Sequence, residues 1–484
     1  MTCVSADSSL AHLHAAAISL TEQAEHPQLV RGLGLWAATA VVIGDTIGSG
    51  IFLVTSDMAR AVGTTSLVFV AWILGGVIVL FGAFCYAELG ATFPRAGGPY
   101  VYLNHGLGPL WGFLFGWMSS FLDRPVAMAT LAAGFLRFLS FLFPIVATPL
   151  YSGHIAKFDF TITLAQPLAA LVVLSVTALN YLSVKFSGRI QILLTSAKIG
   201  TIILIVAGGL IFGPRHPSFP THLASLVIPH TSVFATIGAV LSALVPAMWA
   251  YNGFNDLGDL GEEILKPQKN IPRSIILGLF TIAGLYLLAN VIYFRTLPFA
   301  TIAASQHVAS DVVQSFAGSA GASALTLAMA VSALGALHVV VLTGARIPYA
   351  MARDAVFFKF ATKIHPRLRT PSGSLIFLAC VATVLALTGT FEQLYSLFVF
   401  AAWIFFALTA IALIRLRIKQ PSLARTYRAW GYPFTPVIFV IAAVALTVNL
   451  WMIRPVRSSI GLLVILAGIP FYYFWRKNAV HPTE

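Results

Sequence analysis

Apolar runs of about twenty residues recur along the chain from near residue 35 to residue 475, separated by short segments rich in Gly, Pro, Arg and Lys. A helix rising ~1.5 Å per residue needs about twenty residues to cross the hydrocarbon of a bilayer, so each run predicts a membrane-spanning helix. The pattern predicts about twelve, near residues 35–60, 65–91, 109–144, 166–184, 190–213, 233–261, 273–296, 319–351, 373–390, 391–414, 433–453 and 458–475. The stretch Ser310-Asp311-Val312-Val313-Gln314-Ser315-Phe316 after helix 7 is polar enough to predict a short surface helix, not a thirteenth span. The fold class is an all-α membrane protein.

Two runs are interrupted. Helix 1 reads GDTIGSGIF from Gly44 to Phe52, and helix 6 reads AMWAYNGFNDLGDLGEE from Ala247 to Glu263, with Gly253, Gly258 and Gly261 at its weak points. Each broken helix opens a set of five, the pattern that marks an inverted-repeat transporter with its site at the bilayer midplane. We therefore expect a cytoplasmic tail over residues 1–30 and a core over 31–414, with repeats of about 31–213 and 233–414. Helices 11 and 12 and the C-terminus follow over 415–484.

Glycine at 48 and 50 lets helix 1 unwind and frees backbone groups that hydrocarbon otherwise forbids. The N–H groups of Ser49, Gly50 and Ile51 would favour an anion, and the carbonyls ending near Ile47 a cation. A zwitterionic amino acid offers both. Close helix packing is the competing explanation of Gly48-Ser49-Gly50, and the matching break in helix 6 weighs against it.

Composition agrees: 58% of residues are hydrophobic and 9% charged, with a mean hydropathy of +0.88. The net charge of +13 sits in short loops and so reports topology, with no nucleic-acid partner implied. With the N-terminus inside, nineteen Lys and Arg fall on inner segments and six on outer ones, which places both termini in the cytoplasm. Residues 1–30 lack the basic start of a cleavable signal peptide. Cys3, Cys85 and Cys380 fall in the tail or in apolar runs, so no disulfide is expected. Gly44-Asp45 faintly resembles the Gly-x-Gly-Asp of intramembrane aspartyl proteases, but position 42 is Val and no second helix Asp with a Tyr partner follows. Without HExxH or a nucleotide loop, no enzyme, cofactor or metal is expected.

The motifs IGSGIF (Ile47 to Phe52), FPRAGGPYVYL (Phe93 to Leu103), Arg124-Pro125, Ala197-Lys198, WAYNGFN (Trp249 to Asn255), EEILKPQKNIPRSI (Glu262 to Ile275), ARIPYAMARD (Ala345 to Asp354) and HPRLRTP (His365 to Pro371) follow one another in an order and spacing that resembles the amino acid, polyamine and organocation (APC) permeases. Within them the chain is similar to the L-type amino acid transporter light subunits over roughly residues 30 to 440. The resemblance implies the LeuT-like five-plus-five inverted repeat, with discontinuous helices 1 and 6 holding substrate between them.

Carried over by position, Ile47, Gly48, Ser49 and Gly50 would take the substrate's carboxylate and amino group. Trp249 would be an aromatic lid, with Ala250, Asn252 and Gly253 lining helix 6 beside it. Asn252 stands where relatives accepting cationic substrates can carry an acid, which tilts this chain towards neutral ones. Lys198 would sit near the unwound helix 1 and Ser332 of helix 8, where sodium-coupled relatives hold their ion. Asp45 departs from the resemblance, since relatives usually have an uncharged residue there. It is left to pair with Lys198, to face the cytoplasmic vestibule, or to carry a proton, and His338 is a second titratable group for which a bond to a helix carbonyl is the simpler role. Glu88, Asp123, Arg124, Arg137 and Arg346 read as cytoplasmic or interfacial anchors. Glu262, Glu263 and Lys266 read as an inner gate or a solvated helix end.

The implied function is secondary active transport of neutral L-amino acids by sodium-independent exchange, in a cell membrane of bacterial inner-membrane type. Proton-coupled symport is the alternative, and a substrate sensor on the same scaffold a third. The family's eukaryotic light subunits join a heavy partner through a cysteine in the loop after helix 3. Residues 145–165 here contain none, so no disulfide-linked heavy subunit is expected, and amino acid and membrane lipid are the partners.

Overall fold

Helix 1 runs Leu35–Leu53 and is broken between Thr46 and Gly50. The structure, a computed structural model, describes residues 31–155, 158–182, 187–216, 232–365, 368 and 370–478. The tail over 1–30, Cys3, Lys157, Lys185, Arg367 and Arg369 lie outside the described residues.

Eleven helices among them are long and apolar enough to cross a bilayer, and the shorter apolar helix Ser372–Thr388 (helix 9) makes twelve. Those used below are helix 2 (Thr65–Thr92), helix 3 (Pro109–Leu142), helix 4 (Ala165–Leu182), helix 5 (Ile192–Ile211), helix 6 (Val233–Ala250), helix 7 (Pro267–Thr296), helix 8 (Val308–Arg353) and helix 10 (Phe391–Lys419). Helix 11 (Phe434–Ile453) and helix 12 (Pro455–Arg476) complete the set. In its most apolar stretch helix 1 is 83% buried, whereas helices 11 and 12 are 28% buried, so helix 1 is the axis and the last two are peripheral. Exposed Phe280, Leu204, Ile441, Met452 and Phe474 form a surface suited to lipid.

Three local features depart from the sequence reading. The stretch Ser310–Phe316 belongs to a short helix of its own, as expected, parted from the long span that follows by the non-helical Gly318 (φ 67°), but Val308, Ala309, Ser310 and Val312 are buried instead of lying on the surface. The cause is its apolar side, and the Ser310 hydroxyl also pairs with that of Thr326 at 2.7 Å. Between helices 3 and 4, strand β1 (Pro149–Ile155) pairs antiparallel with β2 (Phe158–Thr163) in a hairpin that helical periodicity does not reveal. Within helix 3 a wide π turn spans Ser119–Asp123 immediately before Arg124 and Pro125. Pro125 has no N–H to give to the carbonyl four residues back, so the ladder widens there and re-aims the residues around it.

Candidate functional site

In helix 1 the helical ladder ends at Thr46, and Gly48 N–H turns back to the Thr46 carbonyl at 2.9 Å. The Gly44 carbonyl thereby loses the donor an unbroken helix would supply. Lys198 replaces it: its Nζ donates to Gly44 O at 2.5 Å from helix 5, with the side chain only 2% exposed. Ser332 of helix 8 donates to the Ile47 carbonyl at 3.3 Å, and Lys198 packs on Gly335, where a Cβ would meet its Cε at 3.3 Å. A buried ammonium, a serine hydroxyl and freed carbonyls therefore meet at the end of the first half-helix. Gly50 opens the second half.

Helix 6 stops at Ala250 and resumes as tight turns over Asp256–Asp259 and Gly261–Glu263. Gly253 at φ +120° adopts a conformation other residues rarely take, and a Cβ there would fall 2.8 Å from Thr46 Oγ1. The two breaks thus pack backbone to backbone. Tyr286 of helix 7 ties them, its hydroxyl lying 3.1 Å from the Thr46 carbonyl and 2.9 Å from that of Ala250.

Between the breaks is a cavity of about 20 Å³, lined by Asp45, Thr46, Gly48, Ser49, Gly50, Ala127, Leu131, Trp249, Asn252 and Val340. It has room for about one water. Asp45 Oδ2, Thr46 Oγ1, Ser49 Oγ and Asn252 Oδ1 are all buried without a hydrogen-bond partner among the described residues. Orphaned polar atoms cost about 1–3 kcal/mol each, so four around one cavity mark a place where a polar ligand completes the bonding. Trp249 covers it, edge-on to Phe398 at 5.2 Å.

Of the residues predicted for the site, Asp45, Gly48, Ser49, Gly50, Trp249 and Asn252 line the cavity. Ile47, Ala250, Gly253, Lys198 and Ser332 form its supporting backbone and bonds. His338 is half-buried on helix 8 and is not among the lining residues.

The reading of intramembrane charges as interfacial anchors needs correction. Arg124 is 3% exposed and donates to both oxygens of Asp256 and, at 2.9 Å, to Asp259, with Asp123 3.3 Å from its Nε. The π turn brings it there. Asp45 lies beside Asp256, so four carboxyls meet two cations, Arg124 and Lys198, directly under the cavity. Glu88 is likewise buried, bonded by Arg417 and at 2.6 Å by the Ala429 N–H. Arg346 bonds Glu263 at 2.8 Å, and Arg353 approaches Glu262 at 3.7 Å. Gly98, at the start of the short helix Pro99–Gly106, packs on Asp259, where a Cβ would fall 2.5 Å from Oδ1, and Tyr100 of that helix donates to Asp354 at 2.7 Å. These contacts seal the basic end of the molecule. Tyr286, Arg124, Asp256 and Asp259 escaped the sequence reading as site components. The only signal for them was a buried charge or hydroxyl with no local partner.

The sequence pattern of a family described as "Amino acid permease" matches residues 33–474. The human (Homo sapiens) b(0,+)-type amino acid transporter 1 is 28% identical over 460 residues, covering 94% of this chain and 90% of that one. The Asc-type amino acid transporter 1 of Mus musculus is 27% identical over 462 residues, 94% of this chain and 83% of that one. The human large neutral amino acids transporter small subunit 2 is 30% identical over 455 residues, 93% and 82% of the two chains.

Proposed function

From the premise that the chain belongs to the amino acid permease family of the APC superfamily, we propose that it carries neutral L-amino acids through the cavity between the two helix breaks, without sodium, by exchange. Amino acid transport itself rests on the family and on relatives that are all amino acid transporters. The single observation that carries the finer reading is the four orphaned oxygens around the cavity, beside backbone N–H groups that open the second half-helix. The first-turn N–H groups favour the substrate carboxylate, and the Asp45, Thr46 and Asn252 oxygens accept from its ammonium. Asn252 gives a neutral wall where a cationic side chain would need an acid. Lys198 on the Gly44 carbonyl supports sodium independence, because a fixed ammonium already answers the carbonyls at the helix end. At about 20 Å³ the cavity must widen to admit an amino acid, which requires the lining residues Trp249 and Asn252 to shift.

The reading includes a five-plus-five inverted repeat, with repeats over about 31–213 and 233–414, supported by breaks at the first helix of each set. It places the basic end in the cytoplasm of a cell membrane, supported by the Lys and Arg bias. No disulfide-linked heavy subunit is included, since residues 145–165 hold no cysteine and Cys85 is buried within helix 2. Proton-coupled symport is the second reading, favoured by Asp45 beside Asp256 in a cluster with more carboxyls than cations. Uptake of radiolabelled amino acids into proteoliposomes, empty or preloaded with unlabelled substrate and with or without sodium, tests the proposal. Stimulation by internal substrate in sodium-free buffer is expected, and a strict sodium requirement would overturn it.

A further inference from the structure

One face of helix 7 is exposed from end to end. Lys266 immediately before it, then Lys269, Arg273, Leu277, Phe280 and Leu288, recur at the spacing of a single helical stripe, and all are exposed. The first three are cations and the rest apolar, the order in which a bilayer presents headgroups and then hydrocarbon. Cations on the opening turns of a helix oppose its dipole, so helix 7 itself gains nothing from them. The acids nearest in the chain, Glu262 and Glu263, are engaged by Arg353 and Arg346 of helix 8. Arg31 adjoins this patch. The Gly32 and Leu33 N–H groups donate to the Glu263 carbonyl at 2.9 and 3.0 Å, and the Leu265 N–H donates to the Leu33 carbonyl at 2.9 Å. The start of helix 1, with the exposed Trp36, is thereby stitched to the start of helix 7.

Beside the apolar part of the stripe a groove of about 160 Å³ opens between helices 2 and 7, walled by Trp72, Ile73, Gly76, Tyr251, Phe280 and Ala283 among others. Phe280 belongs to both stripe and groove. At ~1.5 Å per residue, Leu279 at the near end of the groove stands about 9 Å along helix 7 from Arg273, within the ~15 Å of hydrocarbon that one leaflet supplies. The inner wall is Tyr251, which lies at the break of helix 6. Its hydroxyl donates to the Trp72 carbonyl at 3.3 Å, and its ring lies 5.3 Å from that of Tyr286, which ties the two breaks. A Cβ on Gly76 would fall 3.1 Å from the Tyr251 hydroxyl, so the glycine keeps this recess open.

We propose that helix 7 carries a site for one anionic phospholipid, its phosphate on Lys266, Lys269 and Arg273 and one acyl chain in the groove against Tyr251. Charge selects the headgroup. A patch of exposed cations with no unpaired acid among the described residues beside it attracts a lipid of net negative charge, whereas a zwitterionic headgroup brings a cation of its own. Free phosphate would answer only the basic part, and the apolar stripe and groove that continue from it commit the site to a lipid. A chain in the groove backs Tyr251 and, through it, Tyr286, so the occupied site holds the two helix breaks together. Lipid retention is independent of what the chain transports.

Native mass spectrometry of the full-length protein in neutral detergent, supplied with equal amounts of dioleoyl phosphatidylglycerol and dioleoyl phosphatidylcholine, tests this together with thermal melts in each lipid. One phosphatidylglycerol per chain is expected to be retained, at least about tenfold more strongly than phosphatidylcholine, and to raise the melting temperature. Glycerol phosphate, which lacks the chains, is expected to do neither. The triple variant Lys266→Gln, Lys269→Gln and Arg273→Gln changes only exposed side chains and is expected to remove the preference while the lipid-free melting temperature stays unchanged. Ala283→Phe fills the groove and leaves the cations in place, and is expected to abolish the melting shift, with the smaller Ala283→Leu acting in the same direction. Equal retention of the two lipids, phosphatidylglycerol retention unmoved by the triple variant, a melting shift unmoved by both Ala283 variants, or stabilisation by glycerol phosphate alone overturns the site. Transport through the centre is tested separately by the proteoliposome assay and stands whichever result is obtained.

Discussion

Gly50 of helix 1 lies directly on the backbone of Ala250 of helix 6: a Cβ on Gly50 would fall 2.6 Å from the Ala250 Cα and 2.7 Å from its Cβ. Neither contact can be relieved by rotating a side chain, because both belong to chain segments fixed by their own breaks. Substitution at 50 must push the two breaks apart. Gly50→Leu is expected to abolish uptake, and Gly50→Ala to reduce it by about a hundredfold if displacement near 1 Å misplaces the substrate. Both variants should still insert as a single species on size-exclusion chromatography, since the lipid-facing surface is untouched. Normal uptake by Gly50→Leu would remove the cavity from the transport path.

Asn252 supplies one of the orphaned oxygens, and Trp249 covers them. Replacing the amide by Asn252→Asp puts a charge where the substrate side chain or ammonium would lie, and a buried carboxylate is tolerated best when a cation pairs with it. The ratio of cationic to neutral amino acid uptake is expected to rise by at least about tenfold, equivalent to ~1.4 kcal/mol. An unchanged ratio would show that position 252 does not face the substrate. Trp249→Ala should raise the substrate concentration for half-maximal uptake with normal expression. Poor expression instead would make Trp249 a packing residue.

The hydroxyl of Tyr286 reaches one carbonyl from each break, so Tyr286→Phe removes a single oxygen and leaves the ring among Trp72 and Tyr251. The Ala250 carbonyl loses its donor while the Thr46 carbonyl keeps the Gly48 N–H, at a cost of about 1–3 kcal/mol. A lower melting temperature and slower uptake are expected together. A variant as stable as wild type would mean that the breaks hold without the tie.

His307, immediately before helix 8, predicts a pH dependence of stability. Its folded-state value, lowered by burial and then by Arg137 to about 4, lies below the ordinary value of 6.5. The stabilisation is therefore complete above about pH 6.5 and is lost as pH falls through 4, because the unfolded chain takes up the proton first. Thermal melts of wild type between pH 7.5 and pH 4 should show a steeper acid loss than those of His307→Gln. Parallel curves would place the titration elsewhere.

The breaks in helices 1 and 6 were legible because both runs set several glycines among polar residues, GDTIGSG and NGFNDLGD, and Lys198 because an ammonium in an apolar run demands a partner. What the sequence hid is long-range pairing. Arg124 and Asp256 are 132 positions apart, and Arg137 and Glu392 are 255 apart, so the first becomes a buried pair and the second a partly exposed one only when distant segments of the chain pack. The β hairpin was hidden because a single short pair of strands carries no membrane-length signal. The burial of the segment from Val308 was hidden because its polar residues are interspersed with the apolar ones that face inward.

Asp45 is the residue at which the exchange and symport readings part. Its carboxyl lines the cavity with one oxygen unpartnered, and it stands beside Asp256, whose own oxygens are held by Arg124. Around it Asp123, Asp256 and Asp259 are answered by Arg124 and Lys198, so the ionised cluster is two negative charges in excess, a costly arrangement away from water. Protons resident on the cluster would remove that excess. In the exchange reading they stay through the cycle, because the Arg124 clamp and the Gly98 contact on Asp259 hold the cluster closed whenever the cavity is occupied. In the symport reading the turns over Asp256–Asp259 swing away as the basic end opens, water reaches Asp45, and a proton leaves with each substrate. Exchange predicts that liposomes acidic outside accumulate no amino acid unless preloaded, and that Asp45→Asn retains most counterflow. Concentrative uptake driven by an inward proton gradient alone, lost in Asp45→Asn while counterflow persists, would install Asp45 as the proton carrier and overturn exchange.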